Sequence, residues 1–148
     1  MSRYEFVETA IWSDPVYEAL GPHAKLVYLW SFTNPRCNLP GIYKVTLRQI
    51  STETGIRPRR VEEALEELEA ARLLYFDGTF IFVRSRVKYL HTTSSRTMKG
   101  IARDLSNLDE RHQYVQAFLF MYQEEEWFDE VLGDLSTPAS NPLMAVTQ

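Results

Sequence analysis

The sequence predicts an α+β, mainly α, fold: a winged helix-turn-helix with a C-terminal helical extension. Three stretches between residues 46 and 83 predict it. Two amphipathic helices flank a short turn that contains Gly55, which is the helix-turn-helix arrangement. Two apolar runs then follow, separated only by Asp77-Gly78, a strong short-range hairpin signal. Helix, turn, helix and hairpin together are the core of a winged helix.

The two helices of this motif have recognisable ends, and each has an apolar face of its own. Thr46 is a suitable N-cap for the first helix, and Gly55 suits the left-handed residue that ends it. The second helix begins near Pro58 and places a stripe of apolar residues on one side. The stripe consists of Val61, Ala64, Leu65, Leu68 and Ala71. For the hairpin we expect positive φ at both Asp77 and Gly78.

Upstream of the motif, the sequence predicts the remaining elements of the winged domain. Residues 3–12 are extended in character and apolar enough to lie against the core. Asp14 before Pro15 predicts a short helix, which ends near Gly21. Residues 24–32 are apolar almost all round and predict a buried helix. Residues 34–41 are dense in turn formers, and residues 42–45 predict a strand that pairs with the hairpin.

Downstream, we assign residues 1–93 to the winged-helix domain, 94–135 to the helical extension and 136–148 to a disordered tail. An amphipathic helix is predicted from Arg96 to about residue 108, a second helix capped by Asp109, and a third over residues 127–135. The late aromatic residues exceed what one isolated helix can hide. We therefore expect them to pack on the winged domain or on a second copy.

Composition excludes several classes of protein. The chain of 148 residues has one cysteine, so neither a disulfide framework nor a CxxC metal site is available. No targeting signal is evident at the start and no stretch is long enough to span a bilayer, so we expect a cytoplasmic protein with no membrane partner. His23, His91 and His112 lack a paired acid or nucleophile at a recognisable spacing, and no phosphate-cradling glycine motif occurs. We therefore expect that the protein is not an enzyme and binds no cofactor or metal.

The charge distribution indicates an anionic ligand. Net charge is −4, yet residues 84–103 carry six basic side chains and no acidic one. This basic block consists of Arg84, Arg86, Lys88, Arg96, Lys99 and Arg103. It can neutralise phosphates of DNA. Alternatively, it docks against the acidic residues 104–148, within the chain or across a homodimer. A helix lying on a membrane surface is less favoured, because its apolar face lacks Trp and Phe.

The second helix of the motif is basic only at its start, where Arg57, Arg59 and Arg60 lie. These arginines can contact phosphates or base edges from the helix tip. Alternatively, they pair with Glu62, Glu63 and their neighbours as a solvated face. The rest of the exposed face is mostly glutamate, which DNA phosphates repel, and the hairpin tip has no Lys or Arg. Both features favour protein contacts instead.

Several stretches also resemble a known family. IWSDP, AKLVYLW and NPRCNLPGIY, followed by the two helices and hairpin, resemble the N-terminal winged-helix domain of phage replisome-organiser and related bacterial replication-initiation proteins. TMKGIARDL and AFLFMY resemble the helices that often follow that domain. The resemblance covers about residues 4–122. It implies DNA binding at a replication origin and contacts with other replication proteins.

We therefore expect a non-enzymatic, DNA-binding, replication-associated protein of phage type. One alternative is a protein–protein interaction module that keeps the winged-helix fold. Another is a transcriptional regulator.

Overall fold

The computed structural model describes residues 3–87, 94–109, 112–133 and 135. In this part of the chain the fold is mainly helical with one small three-stranded sheet, which confirms the α+β, mainly α, class. The elements in order are a 3-10 helix Thr9–Ser13, α1 Pro15–Glu18, α2 Pro22–Thr33, β1 Ile42–Lys44, α3 Leu47–Thr54, α4 Pro58–Ala70, β2 Leu74–Phe76, β3 Phe80–Val83, α5 Ser95–Ser106, α6 Gln113–Met121 and α7 Phe128–Gly133. The tail over residues 136–148 lies outside the described residues.

The chain divides into two compact units. The first unit contains residues 1–37 and 43–85, and the second contains residues 38–42 and 86–148. The division after residue 85 falls before the expected domain boundary at residue 93, which itself lies outside the described residues. Residues 38–42 group with the C-terminal helices, although they connect α2 to β1.

The segment before α1 differs from expectation. Tyr4, Phe6 and Trp12 are 83%, 75% and 64% exposed, and Thr9–Ser13 forms a 3-10 helix. The prediction that the segment lies against the core is therefore wrong for these three rings. The prediction that it is extended is wrong for Thr9–Ser13. The segment is attached by both polar and apolar contacts: the Arg3 guanidinium donates to three carbonyl oxygens in the loop after α2, at 3.2–3.4 Å, and Ile11 packs against the core.

Helices α1 and α2 form where the sequence predicts them. One carboxylate oxygen of Asp14 accepts hydrogen bonds from the amides of Val16 and Tyr17, at 2.8 and 3.2 Å. These bonds satisfy two of the amides that a helix start leaves without an intrahelical partner. Helix α2 packs against α3 and α4. Its buried positions are Ala24, Val27, Tyr28, Trp30 and Ser31.

Helices α3 and α4 pack through the predicted stripes. Thr46 and Gln49 form a reciprocal capping box at the start of α3, and Ile50 on its inner face is fully buried. Helix α4 buries the predicted residues Val61, Ala64, Leu65 and Leu68. The apolar spacing at i, i+3, i+4 and i+7 thus correctly predicts which face of α4 meets the core.

Helix α4 ends in a left-handed residue that is not glycine. Arg72 has φ of 59°, and its amide donates to the Glu69 carbonyl at 2.9 Å. The Leu73 amide donates to the Leu68 carbonyl at 3.0 Å, which completes the hydrogen-bond pattern of a Schellman motif. An arginine therefore occupies the position where glycine is usual, and the chain turns directly into β2.

The sheet has the strand order β1-β3-β2, with β2 and β3 antiparallel. The hairpin is confirmed, but its turn is one residue later than predicted. Phe76 pairs with Ile81, and the Asp77 amide donates to the Phe80 carbonyl at 3.1 Å, so Gly78 and Thr79 form the loop. Gly78 has φ of 97°, whereas Asp77 keeps negative φ.

The turn shifts because the Asp77 carboxylate replaces backbone hydrogen bonds at the tip. One oxygen of this carboxylate accepts from the amides of Thr79 and Phe80, at 2.9 and 2.7 Å. An aspartate that bonds amides two and three residues ahead favours its own position at the start of a turn. Asp77 therefore lies between the end of β2 and the loop, and is not a central turn residue.

A buried amide joins the end of α2 to β1 within the first unit. The Asn34 side-chain nitrogen donates to the carbonyls of Trp30 and Ser31 and to the Tyr43 hydroxyl, at 2.9, 3.2 and 2.8 Å. The Tyr43 hydroxyl in turn donates to the Ser31 carbonyl. Burial raises the pKa of Tyr43, so its phenol stays protonated and remains a donor.

A charged clamp lies near this amide. The Glu53 carboxylate accepts from the Arg36 guanidinium through both oxygens, at 3.0 and 2.5 Å, and from the Trp30 indole at 3.1 Å. The hydrogen bond from Arg36 is the main reason that the pKa of Glu53 is lowered. Helices α2 and α3 and the loop after α2 are thereby tied together by side chains.

The second unit contains a loop held against α5. The Asp104 carboxylate accepts from the Leu39 amide at 3.3 Å. Gly100, one turn earlier on α5, lies so close that an added Cβ would be 2.6 Å from a Leu39 methyl carbon. The absence of a side chain at Gly100 therefore permits this approach of loop and helix.

Helices α5 to α7 confirm most of the predicted extension. Ser94 caps α5, whose buried face carries Met98, Ile101, Ala102 and Leu105. The cap of α6 is His112 and not Asp109, because the His112 ring nitrogen Nδ1 accepts from the Tyr114 amide at 3.1 Å. Three aromatic rings pack on one another, with centroids 4.8–6.4 Å apart: Phe118, Tyr122 and Trp127.

Replacing Gly78 with valine should lower the free energy of unfolding by about 1 kcal/mol or more, because a β-branched residue resists positive φ. Nothing lies within 4 Å of an added Cβ, so the loss would come from the backbone alone. Denaturant titration measures it, and Gly78→Asn is the control, since asparagine tolerates positive φ. Equal stability of the valine variant, the asparagine variant and the parent would contradict the turn described here.

Replacing Asn34 with leucine should destabilise the protein by about 2–3 kcal/mol, because several buried polar groups lose a partner together. Tyr43→Phe, which removes only one hydroxyl from the same cluster, should cost about 1 kcal/mol. Both values follow from urea titration monitored by circular dichroism. If the leucine variant were no less stable than the phenylalanine variant, Asn34 would not be the centre of this cluster.

Candidate nucleic-acid interface

The connection between α3 and α4 presents basic side chains to solvent. Gly55 ends α3 with φ of 77°, and the buried Ile56 anchors the connection in the core. The Ser51 hydroxyl donates to the Ile56 carbonyl at 2.5 Å. Pro58 then begins α4, since proline is well suited to the first helical position. This geometry fixes the backbone from which three exposed arginines extend: Arg57, Arg59 and Arg60.

One carboxylate meets two of these arginines. A terminal nitrogen of Arg60 donates to one Glu63 oxygen at 2.8 Å, and the Arg59 Nε lies 3.9 Å from the other. The hydrogen bond from Arg60 is the main reason that the pKa of Glu63 is lowered. Pairing within the helix, which the sequence left open as an alternative, is therefore what the structure contains. Arg57, which caps α4, is exposed.

The rest of the exposed α4 face is acidic, as predicted. Glu62, Glu66 and Glu69 are exposed. Glu67 has a structural role, because its carboxylate accepts from the Gly21 amide at the start of α2, at 2.7 Å. A carboxylate at a helix N-terminus is favoured by the helix dipole. The central turns of α4 therefore repel phosphates, and only its first turn suits an anionic ligand.

The hairpin tip adds no positive charge. Its exposed residues are Asp77, Gly78 and Thr79. The Asp77 carboxylate is engaged by the amides of its own turn. The hairpin tip without Lys or Arg that was noted in the sequence is therefore exposed to solvent in the folded chain.

The first half of the predicted basic block does not form an exposed cluster. Arg84 is partly buried, and one of its terminal nitrogens lies 3.4 Å from the Arg72 carbonyl oxygen. Arg86 is only 9% exposed, so little of its side chain is accessible to a ligand. The following Val87 is buried as well. Lys88 lies outside the described residues.

The second half of the basic block forms one face of α5 in the second unit. Arg96, Lys99 and Arg103 are exposed, on the side opposite Met98 and Leu105. Arg103 Nε lies 3.5 Å from the neighbouring Asp104 carboxylate. Within the described residues Arg96 and Lys99 make no ion pair. Helix α5 thus carries a compact set of cations that an anionic ligand can reach.

Among the described residues, one hydrogen bond joins an acidic side chain of α7 to α5. The Ser95 hydroxyl donates to the Glu130 carboxylate of α7 at 2.6 Å. This contact lies beside the start of α5 and leaves the three exposed cations accessible. The expected alternative, a basic face covered by the acidic segment, is not seen among the residues described.

The described residues give little support for other kinds of site. Among the described residues, no group of three or more His, Cys, Asp or Glu side chains is arranged to hold a metal. Cys37 is buried, and His91 falls in an undescribed stretch. Within the same described part, no helix is long and apolar enough to cross a membrane.

Two structural roles were missed from sequence, those of Asp104 and Glu67. Each makes a hydrogen bond to an amide far along the chain, of Leu39 and Gly21 respectively. A mid-helix glycine, Gly100, was the only local signal of a close contact on α5.

Comparison with protein-family models, with curated proteins and with solved structures found no match for this chain.

Proposed function

We propose that this chain is a non-enzymatic, DNA-binding, replication-associated protein built on a winged helix-turn-helix. The observation that carries the proposal is the order α3, left-handed Gly55, α4 and hairpin, with exposed arginines at the start of α4. In helix-turn-helix proteins, the N-terminal residues of the second helix contact base edges in the major groove. The acidic centre of α4 then limits any contact with DNA to the first turn.

In this proposal two basic surfaces make different kinds of contact with DNA. The α4 start, defined by Arg57, Arg59 and Arg60, belongs to the first unit and suits base-edge contacts. The α5 basic face, defined by Arg96, Lys99 and Arg103, belongs to the second unit and suits phosphates. Cations that contact phosphates supply most of the non-specific affinity, whereas base contacts supply sequence preference. Arg84 and the buried Arg86 take no part in this proposal.

The replication context rests on the resemblance to phage replisome-organiser and bacterial replication-initiation proteins. The stretch NPRCNLPGIY, the most specific part of that resemblance, contains Asn34 and Tyr43 of the buried hydrogen-bond cluster. Other replication proteins and a second copy of the chain are the partners that the resemblance and the late aromatic segment suggest. A cytoplasmic location accords with this role.

A protein-interaction module is the second candidate. Its specific support is the exposed aromatic set Tyr4, Phe6 and Trp12, together with the acidic α4 face. Exposed aromatic residues of this size are enriched where proteins bind one another. Absence of affinity for duplex and single-stranded DNA at low salt would favour this candidate for the whole chain.

Replacing Arg96, Lys99 and Arg103 together with alanine should weaken binding to all DNA sequences alike. Each lost phosphate contact should reduce the slope of log affinity against log salt by roughly 0.9. Fluorescence anisotropy with a labelled duplex at several salt concentrations measures both quantities. The matched control replaces Lys25, Lys44 and Arg48 with alanine, which removes the same charge from outside α5. An unchanged slope in the α5 variant, or equal slopes in the two variants, would remove α5 from the interface.

Replacing Arg59 and Arg60 with alanine should change sequence preference more than overall affinity. A lost bidentate contact to a base costs about 1–3 kcal/mol of discrimination, whereas the α5 phosphate contacts remain. Selection of bound duplexes from a random pool, with the parent and this variant in parallel, measures the difference. Identical selected sequences from both proteins would show that the α4 start does not read bases.

A further inference from the structure

We infer that Glu63 is a specificity-determining residue, which makes Arg59 and Arg60 readers of guanine edges and not clamps for phosphate. The inference rests on the proposed DNA-binding function and deepens it. It assigns the ligand class at the α4 start as duplex DNA that presents guanine in the major groove. Three observations support it: the shared carboxylate, the exposure of all three side chains, and the different charge of the two possible DNA acceptors.

The shared carboxylate compensates much of the charge on the α4 start. Each Glu63 oxygen faces one guanidinium, at 2.8 Å for Arg60 and 3.9 Å for Arg59. His23, at the start of α2, also favours the ionised form of Glu63, as do both arginines. The carboxylate therefore stays charged and lies next to the arginines in any interface that they form.

Exposure keeps these pairs reversible. The side chains of Arg59, Arg60 and Glu63 are 90%, 60% and 50% exposed. Ion pairs in such surroundings are weak, because water screens them and long side chains lose freedom on pairing. A ligand can therefore take the arginines from Glu63 at little cost, and the ligand's own charge decides the outcome.

A phosphate and a guanine edge differ in how they tolerate Glu63. A phosphodiester is anionic, so the neighbouring carboxylate repels it while the arginines attract it. The guanine edge offers two neutral acceptors, O6 and N7, to which an arginine can donate in bidentate fashion. Glu63 imposes less repulsion on this neutral edge. It can also accept a hydrogen bond from a cytosine amino group, a donor that the same groove presents.

The experiment compares two short duplexes of equal length, one containing guanine and one of A·T pairs only, at several salt concentrations. The parent is compared with Glu63→Gln, which removes the carboxylate charge and keeps the shape. Glu62→Gln is the matched control, because it makes the same charge change one residue earlier in α4. Glu62 is exposed and makes no ion pair within the described residues.

The parent should prefer the guanine duplex by about fivefold or more, the discrimination of one bidentate contact. Glu63→Gln should bind both duplexes more tightly, by about two- to fivefold where one exposed ion pair is relieved, and should gain most on the A·T duplex. Its salt slope should steepen by roughly 0.9 for each phosphate newly contacted. Glu62→Gln should leave the preference of the parent unchanged.

The test is completed by making Glu63→Gln, and separately Glu62→Gln, in a protein that also carries Arg59→Ala and Arg60→Ala. In that background Glu63→Gln should act no differently from Glu62→Gln, because the arginines that it controls are absent. Thermal melts verify that every variant is folded, which these exposed positions make straightforward. Binding with an equal guanine preference in the parent and in Glu63→Gln would overturn this inference alone. No binding of either duplex by the folded parent at low salt would overturn the proposed function itself.

Discussion

The buried amide of Asn34 is the constraint on which the first unit depends. It closes the last turn of α2 and holds the Tyr43 hydroxyl, so that β1 starts at a fixed distance from that helix. An unpaired amide at this depth would cost more than the hydrogen bonds contribute when they are made, so only one arrangement of loop and strand is stable. The position of β1 then sets the sheet, and Thr46 follows directly as the cap of α3.

The positions of the charged residues in the fold, more than their number, decide which of them an anionic ligand can reach. Counting residues gives a single basic block, whereas folding separates it into a buried Arg86 and three exposed cations on α5. At the start of α4, neighbours three and four residues apart turn two arginines and one glutamate into a partly compensated group. An anionic ligand is therefore attracted by α5 more uniformly than by α4.

Sequence predicted the elements whose signal is local. The apolar stripe of α4 and the caps at Asp14 and Thr46 follow from spacing and residue type, and the structure confirms them. The hairpin turn was one residue off, since a side chain that bonds its own turn is invisible to a dipeptide rule. Burial of Arg86 and exposure of the N-terminal aromatic rings depend on tertiary packing, which local patterns do not encode. For the candidate site, sequence located the basic positions, but not which of them share a carboxylate.

The left-handed conformation of Arg72 affects where the contact between α4 and the hairpin opens first. A residue with a Cβ in this conformation costs roughly 1–2 kcal/mol, a penalty that glycine avoids. Two backbone hydrogen bonds and the buried Leu74 next to them hold the corner closed against that penalty. We therefore expect the contact between α4 and the hairpin to open first at this corner. The Arg72 and Leu73 amides should exchange their hydrogens with solvent sooner than amides inside α4, whereas Ile81 and Val83 hold the hairpin itself in the core.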